Sequence, residues 1–119
     1  MNKLLIAFTV ACAGMLSGLE ASAHVADCTR VEGIAKERCE RHMKIAEKCG
    51  AIKGEAHYVC DQEFLVANPL KCPIYGAPGQ EADAQSCKKE LDAVKTCADK
   101  KGREFIKCVS TTAGASPMG

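Results

Sequence analysis

The spacing of its cysteines constrains this chain more than any other feature. Cys28, Cys39, Cys49, Cys60, Cys72, Cys87, Cys97 and Cys108 lie at least nine residues apart along the chain. No C-x-x-C occurs, so the sequence has neither the thioredoxin-type redox pair nor the zinc-knuckle spacing, and no C-x-x-C-H marks a covalent haem. Adjacent or C-x-C cysteines are also missing, which sets aside the eight-cysteine plant lipid-transfer pattern. An even set of well-separated cysteines in a short exported chain reads as a disulfide framework.

Export is read from the first 23 residues. Met1-Asn2-Lys3 is a short positive start, Leu4 to Leu19 is uncharged and largely apolar, and Ala21-Ser22-Ala23 supplies small residues where signal peptidase reads them. Cleavage is therefore expected after Ala23, removing the ninth cysteine, Cys12. The sixteen uncharged residues fall short of the ~20 a spanning helix needs, so no stable membrane span is expected once the signal is gone. The form of the signal is bacterial, which makes the periplasm, or the medium beyond it, the expected location.

Past Ala23 the large ring side chains are Tyr58, Phe64, Tyr75 and Phe105, and there is no Trp. Apolar burial alone is a thin source of stability at this size, and the cysteines are expected to supply the rest. The balance of 16 Lys and Arg against 15 Asp and Glu leaves no electrostatic case for nucleic acid.

The cysteines recur. Cys39-x9-Cys49-x10-Cys60 returns as Cys87-x9-Cys97-x10-Cys108, shifted by 48 residues, with Lys53-Gly54 matched by Lys101-Gly102. Two units are expected, 28–60 and 72–108, within a helical domain spanning 24–109. Residues 110–119 are small and polar and are expected to form a flexible tail. On a helix advancing 100° per residue, Cys39, Met43, Ala46 and Cys49 share one face, as do Cys87, Leu91, Val94 and Cys97. The charged residues between them, Arg41 and Glu90 included, are assigned to the outer face. Gly54 and Gly102 break the pattern, and a second apolar set follows each. The chain is thus read as all-α, two tandem disulfide-stapled hairpins with helices over 34–49, 55–67, 82–98 and 103–111.

A helix bearing C-x9-C, a turn and a partner helix with its own cysteine resembles the CHCH, or twin C-x9-C, helical-hairpin proteins. Cys39 and Cys49, and Cys87 and Cys97, match the first-helix motif, while Cys60 and Cys108 stand where the second helix begins its own. The resemblance implies a hairpin architecture and carries no function. In such antiparallel hairpins Cys49 is expected to pair with Cys60 across Gly54, and Cys97 with Cys108 across Gly102. For the outer cysteines two arrangements remain: Cys28–Cys39 with Cys72–Cys87, or Cys39–Cys72 with Cys28–Cys87. The balance tips toward the second, which would stitch the two hairpins together.

Gly33, Gly54 and Gly102 each stand five residues after a cysteine that is followed, ten intervening residues later, by another. A shared backbone requirement for glycine is expected at all three. Cleavage after Ala23 would make His24 the first residue, where the free amine and the ring can chelate Cu(II), and this resembles the amino-terminal histidine of histidine-brace copper proteins. A second imidazole would have to come from His42 or His57. No G-x-S-x-G, H-E-x-x-H or phosphate-cradling glycine loop occurs, and the acidic residues alternate with basic ones along helix faces. The expectation is a non-enzymatic binding or structural module for an unidentified protein or small ligand. It carries no cofactor unless copper at His24, and the alternatives are a copper-binding protein and a thiol-disulfide redox protein.

Overall fold

The computed structural model of the chain describes residues 27–118, so the signal segment, its cleavage site and His24 lie outside the described residues. Four helices follow one another: α1 (Gly33–Cys49), α2 (Glu55–Ala67), α3 (Glu81–Thr96) and α4 (Arg103–Ala113). Short 3₁₀ turns at Cys28–Arg30 and Cys72–Tyr75 precede the two hairpins, and no strand occurs among the described residues. α1 packs on α2 and on α3, and α4 packs on α3 and on α2.

Each inner bridge closes the turn of a hairpin. Cys49–Cys60 joins α1 to α2 and Cys97–Cys108 joins the end of α3 to α4. The outer pairs correct the expectation that favoured a swap. Cys28 is bonded to Cys39 and Cys72 to Cys87, so every bridge stays inside its own hairpin. The reason lies in the linker: Leu70 and Tyr75 are buried with Ile34 and Cys87, and this apolar cluster pins the Cys72–Tyr75 turn beside α3.

The main core draws on all four helices, with Ile45 and Cys49 from α1, Leu65 from α2, Phe105 and Val109 from α4, and Ala93 with neighbouring Cys97 from the α3 side. On α1 the buried stripe is Ile34, Arg41, Ile45 and Cys49, rotated by roughly 100° from the face expected through Cys39, Met43 and Ala46. Met43 is 38 % exposed, and Cys39 is only half-buried because its bridge runs sideways to the Cys28 turn. The C-terminal residues also depart from the expected flexible tail. α4 runs to Ala113, Gly114 turns the chain in a left-handed conformation, Pro117 is buried and Met118 packs on the core.

The helix starts are capped across the hairpin boundary. No local side chain caps α1 or α4. Instead the Ile34 N–H donates to Asp83 of α3 at 3.4 Å, and the Arg103 N–H donates to Glu55 of α2 at 2.9 Å. The Gly102 N–H donates to Gln62, also on α2, at 2.7 Å. Carboxylates and amides supplied from a neighbouring hairpin thus satisfy donors that a helix N-terminus leaves free, and the negative charge sits at the favourable end of the helix dipole.

Gly33, Gly54 and Gly102 have φ of 61°, 68° and 63°. Gly54 and Gly102 combine this with ψ of −150° and −130°, a region that side chains with a Cβ scarcely enter. A Cβ on Gly54 would meet nothing within 4 Å, whereas one on Gly102 would fall 1.8 Å from a Glu55 oxygen. Gly54→Ala is therefore expected to cost ~1–3 kcal/mol through backbone strain alone. Gly102→Ala should cost roughly 1 kcal/mol more, because Glu55 must leave the α4 terminus. Denaturant unfolding of both variants checks this order, and variants as stable as the native chain would contradict it.

Candidate functional site

The depression best supplied with chemistry lies between α1, the Cys28 turn and the returning C-terminal segment. It is a mostly apolar groove of about 440 Å³, walled by Asp27, Val31, Ala35, Arg38 and Cys39 on one side and by Ala115, Ser116 and Met118 on the other, with His42 in its lining. A larger depression of about 510 Å³ beside α2 is lined by Val59, Val66, Lys100 and their neighbours and holds neither histidine nor cysteine.

Each wall is fixed by an identifiable interaction. The Cys28–Cys39 bridge holds the N-terminal turn against α1 with a Cα separation of 5.6 Å. Asp27 caps that turn, accepting from the Thr29 N–H at 3.1 Å and pairing with Arg30 at 3.2 Å. Hydrogen bonds from the Thr29 hydroxyl and N–H hold the Asp27 carboxyl below the ordinary aspartate range, so it is a carboxylate at neutral pH. The opposite wall hangs on Arg41, whose guanidinium donates to the Pro117 carbonyl at 2.7 Å.

Arg41 belongs to a buried polar knot behind the groove. Glu90 of α3 is 1 % exposed and is held by two arginines of α1, Arg41 through Oε1 and Arg38 through Oε2 at 3.0 Å. Arg38 also donates to the Ser86 hydroxyl at 3.2 Å. Both Arg41 and Glu90 were assigned to solvent from their charge. Their positions carried a contrary signal, since Glu90 falls between Cys87 and the Ala93–Cys97 edge of α3, and Arg41 falls between Ile34 and Ile45 on α1.

The second histidine lies elsewhere. His57 lines a small depression with Gly54, Tyr58 and Arg103. Its Nδ1 donates to the Cys49 carbonyl at 2.9 Å, since a carbonyl can only accept, and its Nε2 lies 3.3 Å from Asp61 Oδ2. Asp61, which sequence reading did not single out, is 3 % exposed, and its Oδ1 has no hydrogen-bond partner. Among the described residues no three His, Cys, Asp or Glu side chains are gathered as a metal site. All eight framework cysteines are bonded, and no helix among the described residues is long and apolar enough to cross a membrane. No protein-family model, curated protein or solved structure matches this chain.

Burial pushes the Asp61 carboxyl above its ordinary range, while the nearby His57 and His42 pull it back in part. A raised value means that the folded chain holds this proton more tightly than the unfolded one. The stability it contributes is present at acid pH and is lost as pH rises through the raised value. Asp61→Asn cannot ionise, so its stability relative to the native chain should improve as pH rises from about 3 to about 6. Denaturant midpoints measured across that range check the sign, and a difference that stays flat or falls would contradict it.

Proposed function

We propose that this chain is a small exported binding module of the bacterial periplasm, non-enzymatic, that presents the α1 groove to a ligand or partner. The observation that carries the reading is the closure of all eight cysteines into four bridges beside a groove that stays open. Bridges of this kind persist in oxidising compartments and are rare in the cytosol. Each can add ~2–4 kcal/mol to a domain whose core is small, which is a structural role sufficient for every cysteine.

One observation favours a second reading, a copper-binding protein that uses His24 as its first residue. Asp27, only three residues after His24, stands on the wall of the groove that holds His42.

Both readings require export and oxidation. Intact-mass measurement on protein recovered from the periplasmic fraction of a bacterial host should show loss of residues 1–23 and of eight hydrogens relative to the fully reduced chain. Retained N-terminal residues, a cytoplasmic location or free thiols among the eight cysteines would contradict the proposal.

A further inference from the structure

We infer that the Cys28–Cys39 bridge is a thiol-exchange site: a dithiol entering the α1 groove reduces it selectively and leaves the other three bridges closed. The four bridges are chemically alike, and their surroundings set them apart. Cys49, Cys87 and Cys97 are each 0 % exposed and sit inside the two apolar clusters, Cys49 and Cys97 in the main core and Cys87 beside Leu70 and Tyr75. Their partners Cys60, Cys72 and Cys108 pack against the same clusters. Cys28 and Cys39 belong to neither. Cys39 lines the groove, and the sulfur of the partly exposed Met43 lies 3.5 Å from Cys28 Sγ.

Exchange begins when a thiolate attacks one sulfur of a bridge, and it is fastest where that sulfur can be reached and the other can depart as a thiolate. Cys72 and Cys108 are exposed, so access alone does not separate the bridges. Departure does. A thiolate released from Cys49, Cys87 or Cys97 would form inside an apolar cluster, where the anion is disfavoured. Cys28 instead stands on a three-residue turn outside both clusters. Asp27 bonds to Thr29 and Arg30 within that same turn, so once the bridge opens the turn can carry the Cys28 sulfur outward into water.

The exchange is a two-step displacement. The donor's first thiolate bonds to Cys39 Sγ from the groove, the Cys28–Cys39 bond breaks, and its electron pair leaves with Cys28 Sγ. The donor's second thiolate then attacks the donor's first sulfur, which closes a disulfide in the donor and releases Cys39. The donor loses two electrons and the chain gains them, while the donor's two thiol protons pass through water to Cys28 and Cys39. Reduction frees the turn that carries Asp27 and leads into Val31, one wall of the groove, while the clusters and the remaining bridges hold the two hairpins. The exchange does not depend on what the groove binds.

The test is a timed reduction of the native oxidised protein with dithiothreitol, each aliquot being alkylated and its modified cysteines located by peptide mass. Cys28 and Cys39 should be alkylated at least ~10-fold faster than any other pair, because departure from the apolar clusters is disfavoured. The doubly alkylated product should accumulate and keep its helical circular dichroism and a cooperative thermal transition. In denaturant the advantage should vanish. Glutathione, which has a single thiol, should be trapped on Cys39. A variant with both Cys28→Ser and Cys39→Ser should form the other three bridges and lose them as slowly as the native chain does. Simultaneous reduction of all four bridges, earlier reduction of another one, or selectivity that persists in denaturant would overturn the inference. So would glutathione found on Cys28, or unfolding of the chain when the first bridge opens.

Discussion

Every disulfide among the described residues closes within one hairpin, so the union of the two hairpins depends on non-covalent contacts, and the buried Glu90 is the most demanding of them. A carboxylate taken out of water is costly unless paired and hydrogen-bonded. Here it is paired twice, by Arg38 and Arg41, and both arginines come from the other hairpin. Such a pair adds little net stability over apolar packing, but an arrangement that left Glu90 buried without its arginines would be strongly disfavoured. The knot therefore selects one docking of α3 against α1. The apolar core of Ile45, Leu65, Phe105 and Val109 supplies the non-directional part of the same union.

The reciprocal caps act in the same way. Asp83 serves the start of α1 and Glu55 serves the start of α4, so each hairpin leaves a helix terminus incomplete until the other docks. The bridges hold each hairpin's turn, and the partner hairpin completes its helix ends. Division of labour between local covalent closure and long-range polar contacts accounts for a single fold from a chain with few large apolar side chains.

Much of this was legible in the sequence because helices write their period into it. The four helices lie within two residues of the spans read from the cysteine and glycine pattern, and the inner bridges follow from symmetry about Gly54 and Gly102. What was not legible depends on charge and on long-range packing. Arg41, Glu90 and Asp61 are charged residues at helical positions, and residue type alone assigns such positions to solvent. For Arg41 and Glu90 it is the neighbouring hairpin that supplies the buried partner, and Asp61 is paired with His57 of its own helix. The buried end of the chain was hidden for the same reason, since nothing in Ala115-Ser116-Pro117-Met118 announces that the Pro117 carbonyl meets an arginine of α1. The outer pairing goes with Leu70 and Tyr75, two linker residues buried in one cluster with Cys87 of α3 as well as Ile34 of α1.

The pairing also sets where function can lie, because Cys28 bonded to Cys39 brings the N-terminal turn to the groove at His42. Digestion of the oxidised protein without reduction, followed by mass identification of the joined peptides, tests this most directly. The account predicts that the peptide containing Cys28 is linked to that containing Cys39, and Cys72 to Cys87. Recovery of Cys39 joined to Cys72, or Cys28 joined to Cys87, would contradict it.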